Sequence, residues 1–436
     1  MPATIVRAAA PPGQCLEMEF FSRRNGSLYA EDVALSELAE AVGTPCYVYS
    51  LAALRTQLGA WRKGFGDHPH LVCYSVKANS NLAVLRALAN EGAGFDVVSG
   101  GELARVLAAG GEASRVVFSG VGKQAWEIRA ALDAGILMFN VESLAELELI
   151  SQLALEMKTT APVSLRVNPD VDPQTHPYIA TGLADSKFGV AADQCVEHYH
   201  RAAELEGIEV LGIDCHVGSQ LVSSSPIEEA ATRITSLLDR LDSAGIPIGY
   251  VDMGGGLGVT YQDESPPSPD EWAATLLRVF EGRGLTIVVE PGRSIAANAG
   301  VLLTTVLFHK GNHEKNFVVV DAGMNDLARP SLYSAHHDVE AVEDGEGTIT
   351  ADVVGPICES GDFFAKERLM ANVQAGGLLA IMSAGAYGFV MASNYNTRPR
   401  PAEVLVNGDS WDLVRERETV ESLFADEAIP GHLSGE

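Results

Sequence analysis

The chain is short of cations: 30 lysines and arginines stand against 58 aspartates and glutamates, a formal net charge of −28. That balance argues against nucleic acid as a partner, since a phosphate backbone is held by clustered positive charge. A local basic pocket inside an acidic shell still suits a small anionic ligand. Paired cysteines are missing as well. The six present (Cys15, Cys46, Cys73, Cys195, Cys215, Cys358) are scattered and form no CxxC, which excludes a small disulfide scaffold and fits a reducing cytoplasm. Prolines interrupt the AAAPPG segment after Arg7, so no secretory leader is expected. The charge-free stretch from Gly376 to Ser393 contains four glycines and two serines, and reads as buried core in a soluble protein rather than a membrane span. No metal-ligand spacing stands out, and no metal is expected.

What the chain has is apolar material, 47% of its residues, and 43 glycines. Its 436 residues suggest two domains, or one large barrel with an appended domain. From about residue 70 to 292, short β-type runs alternate with longer helical stretches. The runs are LVCYSVKA, FDVVS, VVFSG, LMFNV, VSLRVNP, LGIDCHVG, YVDMGGG and TIVVEPG. Between them lie segments such as LAVLRALANEG and SLAELELISQLALEM, with apolar residues at i, i+3 and i+4. Eight β-then-α units over roughly 220 residues predict a (β/α)8 barrel, which typically takes about 250; a doubly wound open sheet is the runner-up. Beyond Gly292 the runs VLLTTVLFHKG, NFVVVDAG, TITADVVG and LLAIMSAGAYGFV are separated by turn material, which predicts an all-β domain. A strand near Met18–Phe21 and the helical ALSELAEAVG precede the barrel. DESPPSPD, within Gln262 to Asp270, reads as a surface loop, and the tail after Phe424 as poorly ordered.

Polar residues gather where these runs end. Lys77 follows the first, Asp96 and Ser99 lie in the second, and Asn140 and Glu142 close the fourth. Arg166 and Asn168 end the fifth, His216 the sixth, Gly254, Gly255 and Gly256 the seventh, and Glu290 with Arg293 the eighth. Strand C-termini form the active-site face of such a barrel. Taken singly, each has an ordinary explanation: a lysine after a strand is usually a solvated end, three glycines an ordinary tight turn, a histidine a satisfied core residue. Their coincidence at seven strand ends favours function. MGGGLG lacks the GxGxxG pattern of a dinucleotide site, so one phosphate fits better than a pyrophosphate. With EPGR and Ser219 it makes a plausible phosphate cup of backbone donors. A phosphate cup plus a barrel lysine suggests pyridoxal 5'-phosphate held as a Schiff base on Lys77, with Glu290 at the pyridine nitrogen and His216 against the ring.

The chain resembles the fold-type III pyridoxal-phosphate decarboxylases, and among them the diaminopimelate decarboxylase family. The resemblance rests on YSVKAN, FDVVSGGEL, FNVES, RVNPDVDPQTHPYIATGLADSKFG, HVGSQ, MGGGLG, EPGRS, DAGMNDLARPSLY, GPICESGD and AGAYGFVMASNYNTRPRPAEVLV, in order from about residue 45 to 406. It implies a pyridoxal-phosphate-binding (β/α)8 TIM-type barrel over residues 46–298. A β-sandwich or Greek-key barrel domain follows over 299–436, with residues 1–45 pairing to it. It further implies a homodimer with active sites at the interface. By position, the resemblance makes Lys77 the Schiff-base lysine, His216 the ring-stacking residue and Ser219 a phosphate contact. Gly254, Gly255 and Gly256 become the phosphate loop, completed by Glu290, Pro291, Gly292 and Arg293. Arg293, Arg329, Tyr333 and Glu359 fall at substrate positions, Tyr387 at one touching phosphate and substrate, and Cys358 at that of a proton donor from the second subunit. A thiol is mostly protonated at neutral pH, as that role needs; a buried small hydrophobe is the other common fate of cysteine. Two arginines with a glutamate suit a substrate tail carrying both carboxylate and ammonium, as meso-diaminopimelate does, its D-centre losing CO2 to leave L-lysine. Competing readings are a decarboxylase of ornithine, arginine, carboxynorspermidine or a D-amino acid, a barrel racemase, and a non-catalytic pyridoxal-phosphate-binding protein.

Overall fold

In the computed structural model, residues 20–172, 187–345 and 347–433 are described. Most of PDVDPQTHPYIATGLADSKFG, and Met18 and Glu19 of the possible first strand, lie outside them. All eight anticipated runs form strands: β1 (His70–Ser75), β2 (Gly94–Val97), β3 (Val116–Phe118), β4 (Met138–Val141), β5 (Ala161–Asn168), β6 (Ile208–Asp214), β7 (Tyr250–Asp252) and β8 (Thr286–Val289). Each pairs in parallel with the next, and Ile287, Val288 and Val289 of β8 pair with His70, Leu71 and Val72 of β1. That last pairing closes the barrel and removes the open-sheet alternative. Helices cross over between strands, and side-chain caps fix the starts of several of them. Ser99 Oγ accepts from the Glu102 amide and Ser143 Oγ from the Glu146 amide, satisfying N–H groups that a helix start leaves unpaired.

The second unit is a sheet of strands in the order Phe363–Ala371, Thr348–Val354, Asn316–Val320, Gly300–Gly311, Cys46–Ser50, Ala402–Asn407, Ser410–Arg415. Strand Cys46–Ser50 precedes the barrel in the chain yet pairs here, antiparallel to Gly300–Leu303 and parallel to Ala402–Val406. The pairing therefore passes from sheet to barrel after Ser50. A three-stranded meander, Phe21–Arg24, Ser27–Ala30 and Val33–Ala34, docks on the same unit through Leu28 N to Val342 O (2.8 Å). Within the charge-free stretch, Leu378–Ile381 is a strand with buried Leu379, Ala380 and Ile381. Gln262 to Ser268 is irregular, and a helix begins at Pro269.

The units meet around the segment after β1. Asn79 Nδ2 donates to Gly385 O (3.1 Å), Asn81 Nδ2 to Glu403 Oε2 (3.0 Å), and Tyr387 N to Ala78 O (2.8 Å). These bonds seat the AGAY turn of the sheet unit against Lys77, at the C-terminal mouth of the barrel.

Candidate active site

Period-two alternation along the barrel strands sets the floor of the site. Cys73, Val117, Met138 and Val288 belong to one buried apolar cluster. Two residues further along stand Ser75, Ser119, Asn140 and Glu290. Side chains two apart in a strand share a face, so the apolar filling gives way to a polar layer. These side chains interlock: Ser75 Oγ donates to the Glu290 carbonyl (2.9 Å) and Asn140 Nδ2 to Ser119 Oγ (3.1 Å) and Asp252 Oδ2 (3.1 Å). The weaker contact of Ser119 Oγ with Glu290 Oε1 (3.4 Å) completes the layer.

A cavity of about 930 Å³ opens above this floor. A short 3-10 turn, Val76–Ala78, carries Lys77 into it, and Lys77 Nζ lies 2.5 Å from Asp96 Oδ2. Burial opposes the charge on the amine, but Asp96, with Glu290 behind it, outweighs that and holds Lys77 above its usual pKa range. Burial likewise pushes the Asp96 carboxyl up, and the Lys77 ammonium reverses this, leaving Asp96 below the usual carboxylate range. Glu290 goes the other way: burial, reinforced by Asp96 and Asp214, raises it well above the normal range. Its Oε2 is buried without a hydrogen bond, with His216 Nε2 3.0 Å away. A carboxyl that keeps its proton in a dry site and has one oxygen unmatched suits an aromatic ring nitrogen.

The glycine loop is shaped by what it packs against. Asp252 Oδ1 accepts from Gly254 N (3.0 Å), and Glu290 N donates to Gly254 O (2.8 Å). Gly254, at φ +62°, has no room for a side chain: a Cβ would sit 2.5 Å from the His216 ring. A Cβ on Gly255 would overlap the Glu290 carbonyl oxygen. Arg293, which follows the second turn, directs Nε and Nη2 to Ser219 Oγ (3.3 and 3.0 Å). Ser219, Gly255, Gly256, Gly292 and Arg293 all line the cavity. A lysine amine, an unmatched buried carboxyl oxygen and a glycine cradle beside Ser219 and Arg293 fit pyridoxal phosphate. Gly255→Ala should therefore force the loop away from Glu290. Overpacking of this kind costs about 1–3 kcal/mol, or roughly 5–150-fold in cofactor affinity if it falls wholly on the cradle; titration of the cofactor-free variant with pyridoxal phosphate checks it.

The sheet unit supplies the other wall. The short helix Arg329–Tyr333 and the turn at Tyr387 place all three named side chains on the cavity. Arg293 Cζ lies 4.9 Å from the Tyr387 ring centroid, and its Nη1 donates to Tyr261 OH (2.8 Å). Both arginines are buried, and among the described residues no carboxylate comes within 4.0 Å of either.

Of the site residues expected from sequence, Lys77, His216, Ser219, Gly255, Gly256, Glu290, Gly292, Arg293, Arg329, Tyr333 and Tyr387 come together on this cavity. Gly254 and Pro291 are the backbone beneath it: Gly254 backs onto His216, and Pro291 O accepts from Ser75 N (3.1 Å). Cys358 and Glu359 do not join it within one chain. Both are exposed on a turn that Asp362 braces by accepting from Ile357 N (2.6 Å) and Met324 N (2.7 Å). Cys358 N is tied to Asn396 Oδ1 (2.8 Å). Sequence reasoning missed Asp252, Tyr261 and His337. Asp252 ends a strand, a signal that could have found it, whereas Tyr261 sits in a loop without a motif and His337 in a plain histidine pair.

Residues 51–297 match the family model for the pyridoxal-binding domain of pyridoxal-dependent decarboxylases. The diaminopimelate decarboxylase of Pseudomonas aeruginosa is 56% identical over 413 residues, 94% of this chain and 99% of the relative. The solved diaminopimelate decarboxylase of Helicobacter pylori complexed with L-lysine has a TM-score of 0.88 at 42% identity, covering 90% of this chain and 98% of that one. That of M. jannaschii in co-complex with L-lysine has a TM-score of 0.92 at 37% identity, covering 96% and 99%.

Proposed function

This chain belongs to the diaminopimelate decarboxylase family of pyridoxal-dependent decarboxylases, and from that premise we propose which of its side chains carry each part of the reaction. It is a pyridoxal-phosphate-dependent carboxy-lyase that converts meso-2,6-diaminopimelate to L-lysine and CO2, the last step of lysine biosynthesis through diaminopimelate. When bound, pyridoxal phosphate supplies an electron sink for the carbon that loses CO2. Lys77 Nζ holds the cofactor, and His216 lies against its ring. Glu290 would meet the ring nitrogen through its buried Oε2, which has no other hydrogen bond. Ser219, Gly254, Gly255, Gly256, Pro291, Gly292, Arg293 and Tyr387 hold the phosphate.

Substrate choice rests on one observation: two buried guanidiniums, Arg293 and Arg329, face the cavity without a carboxylate partner among the described residues. Burying a charge without a counter-ion is expensive, so the arrangement suits a ligand that brings its own carboxylate. Tyr333 and Tyr387 line the same wall, and Glu359 takes the distal ammonium. Cys358 Sγ holds the proton that is delivered to the carbon after CO2 leaves. The braced turn exposes Cys358 and Glu359, and neither lines the cavity of its own chain, which supports a homodimer in which each copy completes the other's site. Residues 46–298 bind the cofactor, with 1–45 and 299–436 as the β-unit, the strand Cys46–Ser50 tying the two together. No helix among the described residues is long and apolar enough to cross a membrane, and the scattered cysteines support the reading of a cytoplasmic protein.

Release of CO2 from a panel of diamino acids tests this reading. meso-Diaminopimelate should react, the L,L-isomer hardly at all, and lysine and ornithine poorly. Arg329→Ala leaves a buried carboxylate unpaired, a loss of about 3–5 kcal/mol, and should lower kcat/KM for meso-diaminopimelate on the order of 10²–10⁴-fold. A wild-type preference for ornithine or lysine would overturn the specificity assignment.

A further inference from the structure

Against Arg329, and not itself on the cavity lining, stands a histidine that the reaction does not use. His337 is fully buried, four residues beyond the helix that carries Arg329. Its Nδ1 lies 2.7 Å from Met382 O and its Nε2 2.9 Å from Arg329 Nη1. A carbonyl oxygen only accepts, so Nδ1 carries the hydrogen, and Nε2 is left as an acceptor for the guanidinium. Burial, and then the charge of Arg329, push the imidazole down to about 3, so it stays neutral throughout the working range. Tyr261 braces the same pair. Its ring meets His337 edge-on at 5.4 Å, and Arg329 Cζ lies 4.6 Å from its centroid. A guanidinium has five N–H donors in a fixed plane. An acceptor fixed on one of them, with an aromatic face beside it, leaves the orientation of the remaining donors determined.

We propose that His337 is a positioning residue for substrate selection: as a neutral acceptor locked to Met382 O, it aims the guanidinium of Arg329 at the carboxylate on the far end of the substrate. This rests on the reading that Arg329 takes that carboxylate. The far end is where a diamino dicarboxylic acid differs from a diamino monocarboxylic acid, so His337 acts on discrimination between them and leaves the reacting end alone.

Two substitutions separate the bonds. In His337→Asn the side-chain amide can still donate to Met382 O but does not reach Arg329. In His337→Gln the longer side chain places an oxygen acceptor near the position of Nε2. The holoenzymes are compared on meso-diaminopimelate and on D-lysine, which presents the same reacting end without the distal carboxylate. Equilibrium binding of L-lysine, which retains that carboxylate, is measured by calorimetry. For His337→Asn, KM for meso-diaminopimelate and the dissociation constant of L-lysine should rise together by about 10–100-fold, the range for a lost hydrogen bond to a charged group. kcat should change less than about threefold by the same reasoning, because the bond does not touch the reacting carbon, and D-lysine kinetics should be unchanged. His337→Gln should restore most of the loss. Equal losses on meso-diaminopimelate and D-lysine would make His337 a purely structural residue and overturn the proposal. So would an unchanged KM in His337→Asn when Arg329→Ala raises it, and that result leaves the role of Arg329 standing. Failure of Arg329→Ala itself to separate the two substrates would instead bring down the underlying reading of the far-end site.

Discussion

Lys77→Ala is expected to abolish turnover, a loss at or beyond the upper end of the 10²–10⁴-fold range for a proton-transferring side chain, because the residue also carries the cofactor. The visible absorbance of the lysine-linked cofactor should vanish from the purified variant. The structure adds a consequence for stability. Asp96 is fully buried, shares the Ser75 hydroxyl (Oγ at 2.8 Å) with the Glu290 carbonyl, and has its other oxygen without a hydrogen bond. Lys77 is the cation that holds its pKa down. With the amine gone, burial dominates and the carboxyl must take up a proton or remain as an unpaired charge. Compared as cofactor-free proteins, the variant should therefore be less stable than wild type near pH 7. The difference should shrink as the pH falls, because a depressed carboxyl pKa stabilises the folded state only above its unfolded value and that contribution disappears on protonation. Adding Asp96→Asn should recover stability without recovering turnover, and denaturant melts of wild type, the two single variants and the double variant give the coupling directly. Equal melting of Lys77→Ala and the double variant would refute the ion-pair account, and full turnover in Lys77→Ala would refute its role in the reaction.

The barrel was legible because its signal is local. Each of the eight runs announces a strand by its own composition and a following helix by its period, and all eight form. The closure between Thr286–Val289 and His70–Ser75 is a contact across more than 200 residues, and nothing in either run distinguishes it from an open edge. Cys46–Ser50 shows the same limit. CYVYS is buried throughout, and its partners at Gly300–Leu303 and Ala402–Val406 lie far away in sequence. The gathering of the proposed site residues on one cavity was readable for a related reason: Lys77, His216, the glycines and Glu290 all fall at strand ends, so one architectural rule brings them together. Tyr261 and His337 obey no such rule. They reach the site because the loop after the glycines and the segment after Arg329 fold against one another, and a buried aromatic or histidine in sequence is more often plain core. Membership in the decarboxylase family removes the racemase and the non-catalytic binding protein as readings.

Cys358→Ala should still bind pyridoxal phosphate and substrate but turn over about 10²–10⁴-fold more slowly, the usual contribution of a general acid. Its placement makes the origin of that acid testable. The turn holding Cys358 and Glu359 is braced by Asp362 and Asn396, so it is built to present these side chains, yet neither lines the cavity of its own chain. In a two-fold dimer each site would combine Lys77 of one copy with Cys358 of the other. In such a dimer, Lys77→Ala paired with itself and Cys358→Ala paired with itself would each be defective at both sites. After subunit exchange at equal concentration, random pairing yields hybrids in half the population. One of the two sites in every hybrid then holds an intact Lys77 opposite an intact Cys358. Activity should return to about a quarter of the wild-type value by that symmetry argument. A proton donor acting within its own chain leaves every hybrid site lacking one residue or the other, and mixing then restores nothing. Subunit exchange has to be verified separately, by mass-tagged copies or by energy transfer between labelled chains. With exchange shown and no activity recovered, Cys358 serves the cavity of its own chain and the shared-site assignment falls.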